Sequence, residues 1–144
     1  MESMNIRPFE IRDSDAVEQL WKDVFPDDPP HNAPRKVIQE KMSVQKELFF
    51  VAEDDGAVIG TVISGYDGHR GWLYTVAVKP EWRRQGIGRQ LVDHAVKALS
   101  KIGCHKVNLQ VRSTNAKVVA FYQAIGFSTE DRISMGKRLK EGNA

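Results

Sequence analysis

The sequence predicts a single α/β (α+β) domain, a mixed sheet with helices on its faces, and three observations carry the prediction. Two stretches of turn-forming residues separate three strand-like runs in the middle of the chain. The last of these runs passes through a glycine-bearing loop into an amphipathic helix and then into another alternating run. Two helical segments precede this block and a short one follows it. The 144 residues suit one domain spanning residues 1–144, and an apolar share of 41% is enough for a core.

Taken in order, "NIRPFEI" (Asn5 to Ile11) alternates as a short strand, and Pro8 assigns it to a sheet edge because proline cannot donate to a ladder. Asp13 or Ser14 can cap the helix that follows, in which Val17, Leu20, Trp21, Val24 and Phe25 share one face. The prolines of "PDDPPHNAP" (Pro26 to Pro34) force a loop, and a second helix is expected from about Arg35 to Val44. "LFFVAE" and "AVIGTVISG" flank Asp54, Asp55 and Gly56 and read as an antiparallel hairpin. "YDGHRG" (Tyr66 to Gly71) turns the chain again into "WLYTVAV". Beyond the glycine loop, Leu91, Val92, Ala95, Val96, Leu99 and Ile102 form a helical stripe that Gly103 ends. "KVNLQV" is the next strand, placed parallel to "VAV" by the helical crossover. Asn115 can cap a short helix stopped by Gly126, and a final strand is expected over roughly Ile133 to Leu139.

The composition excludes several classes. A net charge of +2 does not call for nucleic acid, and the basic residues form no long stripe. No apolar run approaches the roughly 20 residues a membrane helix needs. The first residues lack the basic-then-apolar order of a signal peptide. The single cysteine, Cys104, excludes an internal disulfide framework. The expectation is a cytoplasmic domain without nucleic-acid or membrane partners. The histidines at 31, 69, 94 and 105 have no metal-ligand spacing, so no metal is expected. Cys104 and His105, as neighbours on a strand, would point to opposite faces and make a poor nucleophile pair.

The stretch "VAVKPEWRRQGIG" (Val76 to Gly88) carries the chemistry. A strand–glycine loop–helix junction presents unpaired N–H groups and the positive end of a helix dipole, which suits an anion. It is not a phosphate loop of the G-x-x-x-x-G-K-[ST] kind, because no Lys-Ser or Lys-Thr follows Gly86 and Gly88. Nor is it a dinucleotide fingerprint, because Leu91 stands where a third glycine would be and hairpin strands precede it.

"RRQGIG" does match R/Q-x-x-G-x-G/A, through Arg83, Gly86 and Gly88, and this resembles the pyrophosphate loop of the GNAT superfamily of N-acetyltransferases. The resemblance extends along the chain, since "NAKVVAFYQAIGF" is similar to the family's later helix with its F-Y-x-x-x-G-F ending. "SGYDGHRGW" (Ser64 to Trp72) is similar to a segment of the bacterial YpeA-type members. The resemblance implies a GNAT-like sheet of six to seven strands, mostly antiparallel, and acetyl-CoA as cosubstrate, with direct attack by an amine in a ternary complex. It implies that the backbone of Val76, Ala77 and Val78 holds the pantetheine arm and that an N–H near Val76 or Ala77 serves the oxyanion. It assigns the pyrophosphate to Arg83, Arg84, Gln85, Gly86, Ile87 and Gly88, with Asn115 as a further cofactor contact. It makes Tyr122 the acid that protonates the departing thiolate, although Tyr122 also lies on an apolar helix face.

This chain departs from many members in its base. The strand "GWLYTVAV" has no carboxylate, which leaves a water chain, Tyr74 or His69, or an acceptor that needs no base. An α-amine titrates near 8 and a lysine near 10.4, so the missing carboxylate favours a low-pKa amine. The acceptor amine stays open, with Asp27 and Asp28 suited to a cation and His69 and Arg70 to an anion. Trp72, Trp82 and Phe127 suit either a core or the interface of a homodimer. A second function from another class is an acyl-CoA-binding regulatory module with weak catalysis.

Overall fold

The computed structural model describes residues 4–139, His31 by its backbone alone, and the chain forms two compact units, Met1–Gln110 and Val111–Ala144. In the first unit, β1 (Met4–Pro8), β2 (Phe49–Asp54), β3 (Ala57–Tyr66), β4 (Gly71–Val78) and β5 (Val107–Leu109) make one sheet in chain order. Its helices are α1 (Ser14–Val24), α2 (Pro34–Met42) and α3 (Ile87–Lys101). β1 to β4 pair antiparallel, and β5 lies parallel to β4 after the α3 crossover. Pro8 sits on edge strand β1, where its missing N–H costs no ladder bond. The β2–β3 turn takes the left-handed backbone that a two-residue hairpin loop requires, with φ of 53° at Asp55 and 84° at Gly56.

Alternation along β3 puts helices on both sheet faces. Thr61 accepts a hydrogen bond from Trp21 Nε1 of α1 at 2.9 Å. The preceding residue faces α3, for a Cβ on Gly60 would meet Leu91 Cδ1 and the Ala77 carbonyl at 2.9 Å. Phe9, Val17, Leu20, Trp21, Ile38 and Phe49 make the core on the α1–α2 side, with the Phe9 and Phe49 rings stacked at 4.3 Å. Leu91, Val92, Ala95 and Leu99 are the buried stripe of α3. The leucine and valine side chains each contribute about 1.5–3 kcal/mol on burial.

Several expectations are corrected. Among the described residues the sheet has five strands, not six to seven. The expected strand at Ile133 to Leu139 does not form, and Ile133, Met135 and Leu139 are 89%, 89% and 79% exposed. Alternation gives a segment strand propensity, but a strand exists only through a neighbour's ladder. For the same reason "KVNLQV" contributes only Val107–Leu109. Asp13 precedes α1 but makes no side-chain cap to it. Its carboxylate instead accepts from the Glu10 N–H at 2.8 Å and from Arg7. In the second unit α4 (Ala116–Ala124) is capped as expected, with Asn115 Oδ1 accepting from Val118 N at 3.4 Å.

Candidate functional site

The site begins where β4 loses a neighbour. β4 and β5 pair at Gly71↔Val107, Trp72↔Asn108 and Leu73↔Leu109, and the pairing stops there. From Tyr74 to Val78 the strand pairs only with β3 among the described residues. Such a backbone edge can take an extended ligand as a further strand. At the same place β4 bulges. Tyr74 pairs with Ile63 and Ala77 with Thr61, so Thr75 and Val76 together stand opposite Val62. Thr75 has φ of 51°, an outlier for a β-branched residue, and such strain collects at functional positions. A bulge also turns backbone groups away from the ladder. Behind it, Thr61 Oγ1 donates to the Thr75 carbonyl at 3.2 Å while accepting from Trp21 Nε1. One buried hydroxyl thus ties α1 to the bulge.

The strand leads through a short turn, Pro80–Trp82, to the N-terminus of α3. Arg84 and Gly86 both take left-handed backbone, with φ of 66° and 79°. The Gly86 position needs glycine for that φ, since a Cβ there would meet only Gln90 Nε2 at 4.0 Å. Left-handed residues in close succession turn amides toward a shared concavity, the nest that binds anions. The first turn of α3 has no acidic residue and no side-chain cap, so nothing in it answers the positive helix end. Ile87 anchors the loop, buried at 4% exposure beside Gly60. Arg83 and Arg84 are exposed and form no ion pair among the described residues.

The structure thus gathers Val76, Ala77, Val78 and the Arg83–Gly88 run on one strand end and its loop in the first unit. Asn115 and Tyr122 lie in the second unit, at the cap and in the body of α4. Tyr122 is 9% exposed and packs edge-on against Phe121 at 4.9 Å and Phe127 at 5.5 Å. Its hydroxyl makes no hydrogen bond among the described residues, and burial pushes its pKa up to about 12. It holds its proton at neutral pH, and burial makes the phenol a weaker acid than a free one. In the β3–β4 turn, Asp67 accepts the His69 and Arg70 N–H groups at 2.8 Å each, which lowers its pKa and assigns its charge to its own turn.

Sequence reasoning missed the Trp21–Thr61–Thr75 relay. Trp21 reads as one more apolar position of a helix stripe, and nothing local marks Thr75 for a positive φ. No helix among the described residues is long and apolar enough to cross a membrane.

The fold has counterparts among solved structures. A structure of AAC(6')-Iy with a bisubstrate analogue, CoA-S-monomethyl-acetylneamine, superposes with a TM-score of 0.78 at 21% identity, over 95% of this chain and 99% of that one. The ribosomal-protein-S18-alanine N-acetyltransferase of Escherichia coli gives a TM-score of 0.71 at 26% identity, over 87% and 77%. In sequence, an acetyltransferase of Yersinia enterocolitica is 40% identical over 138 residues, 94% of this chain and 96% of its own length. An acetyltransferase of Pectobacterium atrosepticum is 40% identical over 140 residues, 96% and 97%. Residues 14–127 match the acetyltransferase (GNAT) family, a span that takes in the bulged strand, the nest and α4. The chain belongs to that acetyltransferase family.

Proposed function

We propose that the chain is an acetyl-CoA-dependent N-acetyltransferase that acts on a primary amine in a ternary complex. One observation carries the reading: the β4 edge left by β5 after Leu73 leads through the Pro80–Trp82 turn to a loop and helix start without acidic residues. Acetyl-CoA supplies an activated acetyl group and a thiolate that can leave. The Val76–Val78 backbone is suited to hydrogen-bond its pantetheine arm as a strand would, and an N–H at the bulge to donate to the carbonyl oxygen. Amides from Arg83 to Gly88 suit the pyrophosphate, with Arg83 and Arg84 adding charge. Tyr122 is suited to give its proton to the thiolate. β4 has no carboxylate to take the amine's proton, which favours an amine that is partly neutral at pH 7, such as an α-amine.

The test is release of CoA thiol from acetyl-CoA with a panel of amino acids, peptides, polyamines and aminoglycosides. Turnover with at least one amine is expected, and Tyr122→Phe should lower kcat by about 10²–10⁴ while leaving acetyl-CoA affinity unchanged. Tight acetyl-CoA binding with no thiol release across the panel would favour the regulatory module instead. Absence of acetyl-CoA binding would overturn both. Better rates on lysine side chains than on α-amines would remove the α-amine preference.

A further inference from the structure

On the α1–α2 face of the sheet, three side chains close around Gly65, which pairs with Trp72 three residues before the bulged Thr75. A Cβ placed on Gly65 would lie 3.4 Å from Gln45 Oε1, 3.7 Å from Tyr74 Oη and 3.8 Å from Lys41 Nζ. The glycine keeps that volume open. Gln45 is immobilised there, because its side chain donates to the Tyr66 carbonyl at 2.8 Å and accepts the Tyr66 N–H at 2.9 Å. Lys41 Nζ donates to the Ser64 carbonyl at 2.6 Å, which spends one of three N–H bonds. It has no carboxylate partner among the described residues. The Tyr74 hydroxyl makes no hydrogen bond among them either.

Lys41 is half-buried, and burial lowers its pKa despite the field of Glu47, so its charge is incompletely compensated. Such a cation beside an unused phenol O–H and a gap lacking a side chain is arranged for an anion. Tyr74 is also the residue before the bulged Thr75, where the β4 edge opens.

We propose that Lys41 and Tyr74, with Gly65 as floor, bind the α-carboxylate of an amino acid-type acceptor. One ammonium and one phenol match a single small monoanion. Tyr74 itself adjoins the bulge, so an acid held between Tyr74 and Lys41 lies along β4 from the place proposed for acetyl transfer. The inference deepens the acetyl-transfer reading and rests on it.

The experiment loads the full-length chain with CoA and titrates product-like probes by calorimetry. The probes are N-acetylglycine, N-acetylalanine, N-acetylphenylalanine and Nα-acetyllysine, each against its amide. At least one acid should bind about tenfold more tightly than its amide. Lys41→Met should erase that difference without changing CoA affinity, and Lys41→Arg should retain part of it. Tyr74→Phe should reduce it severalfold. Gly65→Ala, whose Cβ fits at ordinary contact distances, should weaken the acids and spare CoA. Amides binding as well as acids throughout would overturn the proposal, as would Lys41→Met weakening both alike. Failure of the unaltered chain to bind CoA would instead strike the acetyl-transfer reading beneath it.

Discussion

Two strand-to-helix junctions in the first unit are built from the same parts. β1 ends at Pro8, passes a single 3-10 turn (Ile11–Asp13) and enters α1. β4 meets Pro80, passes the turn Pro80–Trp82 and enters α3. Each junction carries arginine. At the first, Arg7 is engaged by the protein's own acids, with Asp13 at 2.8 Å and Glu53 at 2.8 Å, and it also donates to the Pro8 carbonyl at 3.0 Å. Asp13 is 5% exposed and Asp15 adds charge in the first turn of α1. At the second, Arg83 and Arg84 are exposed, and the first turn of α3 holds no acid. A junction that pairs its own charges is structural. One that leaves them unanswered is arranged for an anion from outside.

The largest effect should come from breaking the first junction. Arg7→Met leaves Asp13 buried without its cation and should cost about 3–5 kcal/mol, read by chemical denaturation, with acetyl-CoA affinity unchanged. The pH dependence has a definite sign. Burial alone would raise the Asp13 pKa, but the hydrogen bonds from Arg7 and the Glu10 N–H lower it below the unfolded value. A lowered acid contributes stability above its unfolded pKa, near 3.9, that is lost as pH falls through the folded value. That acid loss should disappear in Arg7→Met.

The second junction should respond in the opposite way. Gly86→Val sets a β-branched residue at φ 79°, for about 1–2 kcal/mol of stability, and should abolish measurable acetyl-CoA binding. A loss of stability alone, with binding kept, would refute the nest. The smallest and most discriminating change imitates the first junction at the second. Arg89→Glu adds an acid to the first turn of α3 but exchanges the Arg89–Asp93 pair for two like charges, so stability should change by less than about 1 kcal/mol while acetyl-CoA binding weakens. Unchanged affinity would mean that the α3 terminus does not face the pyrophosphate.

Much of this architecture was legible from local signals. Asp55 and Gly56 specify a hairpin turn by their tolerance of left-handed backbone, and Pro8 marks an edge by its missing donor. The α3 stripe follows from a 3.6-residue period. The glycine loop was legible because its residue types constrain φ and charge within a few positions. The same reasoning overreached at Ile133 to Leu139, where alternation suggested a strand that the described structure does not contain. Pairing depends on where another segment lies, and alternation carries no information about that.

By itself, then, the sequence determined the order of helices and strands as far as α4, the sites of the turns and the glycine loop. Those rest on periodicity, turn chemistry and residue identity, which act over a few neighbours. Only the tertiary structure decided that β5 leaves β4 after Leu73, that Thr75 is driven to positive φ, and that Thr61 holds its carbonyl to Trp21. It alone brought Lys41 and Tyr74 to the two sides of Gly65. These contacts join residues 14, 33 and 40 positions apart, or set a strand's length by its neighbour's, and no local rule reaches that far.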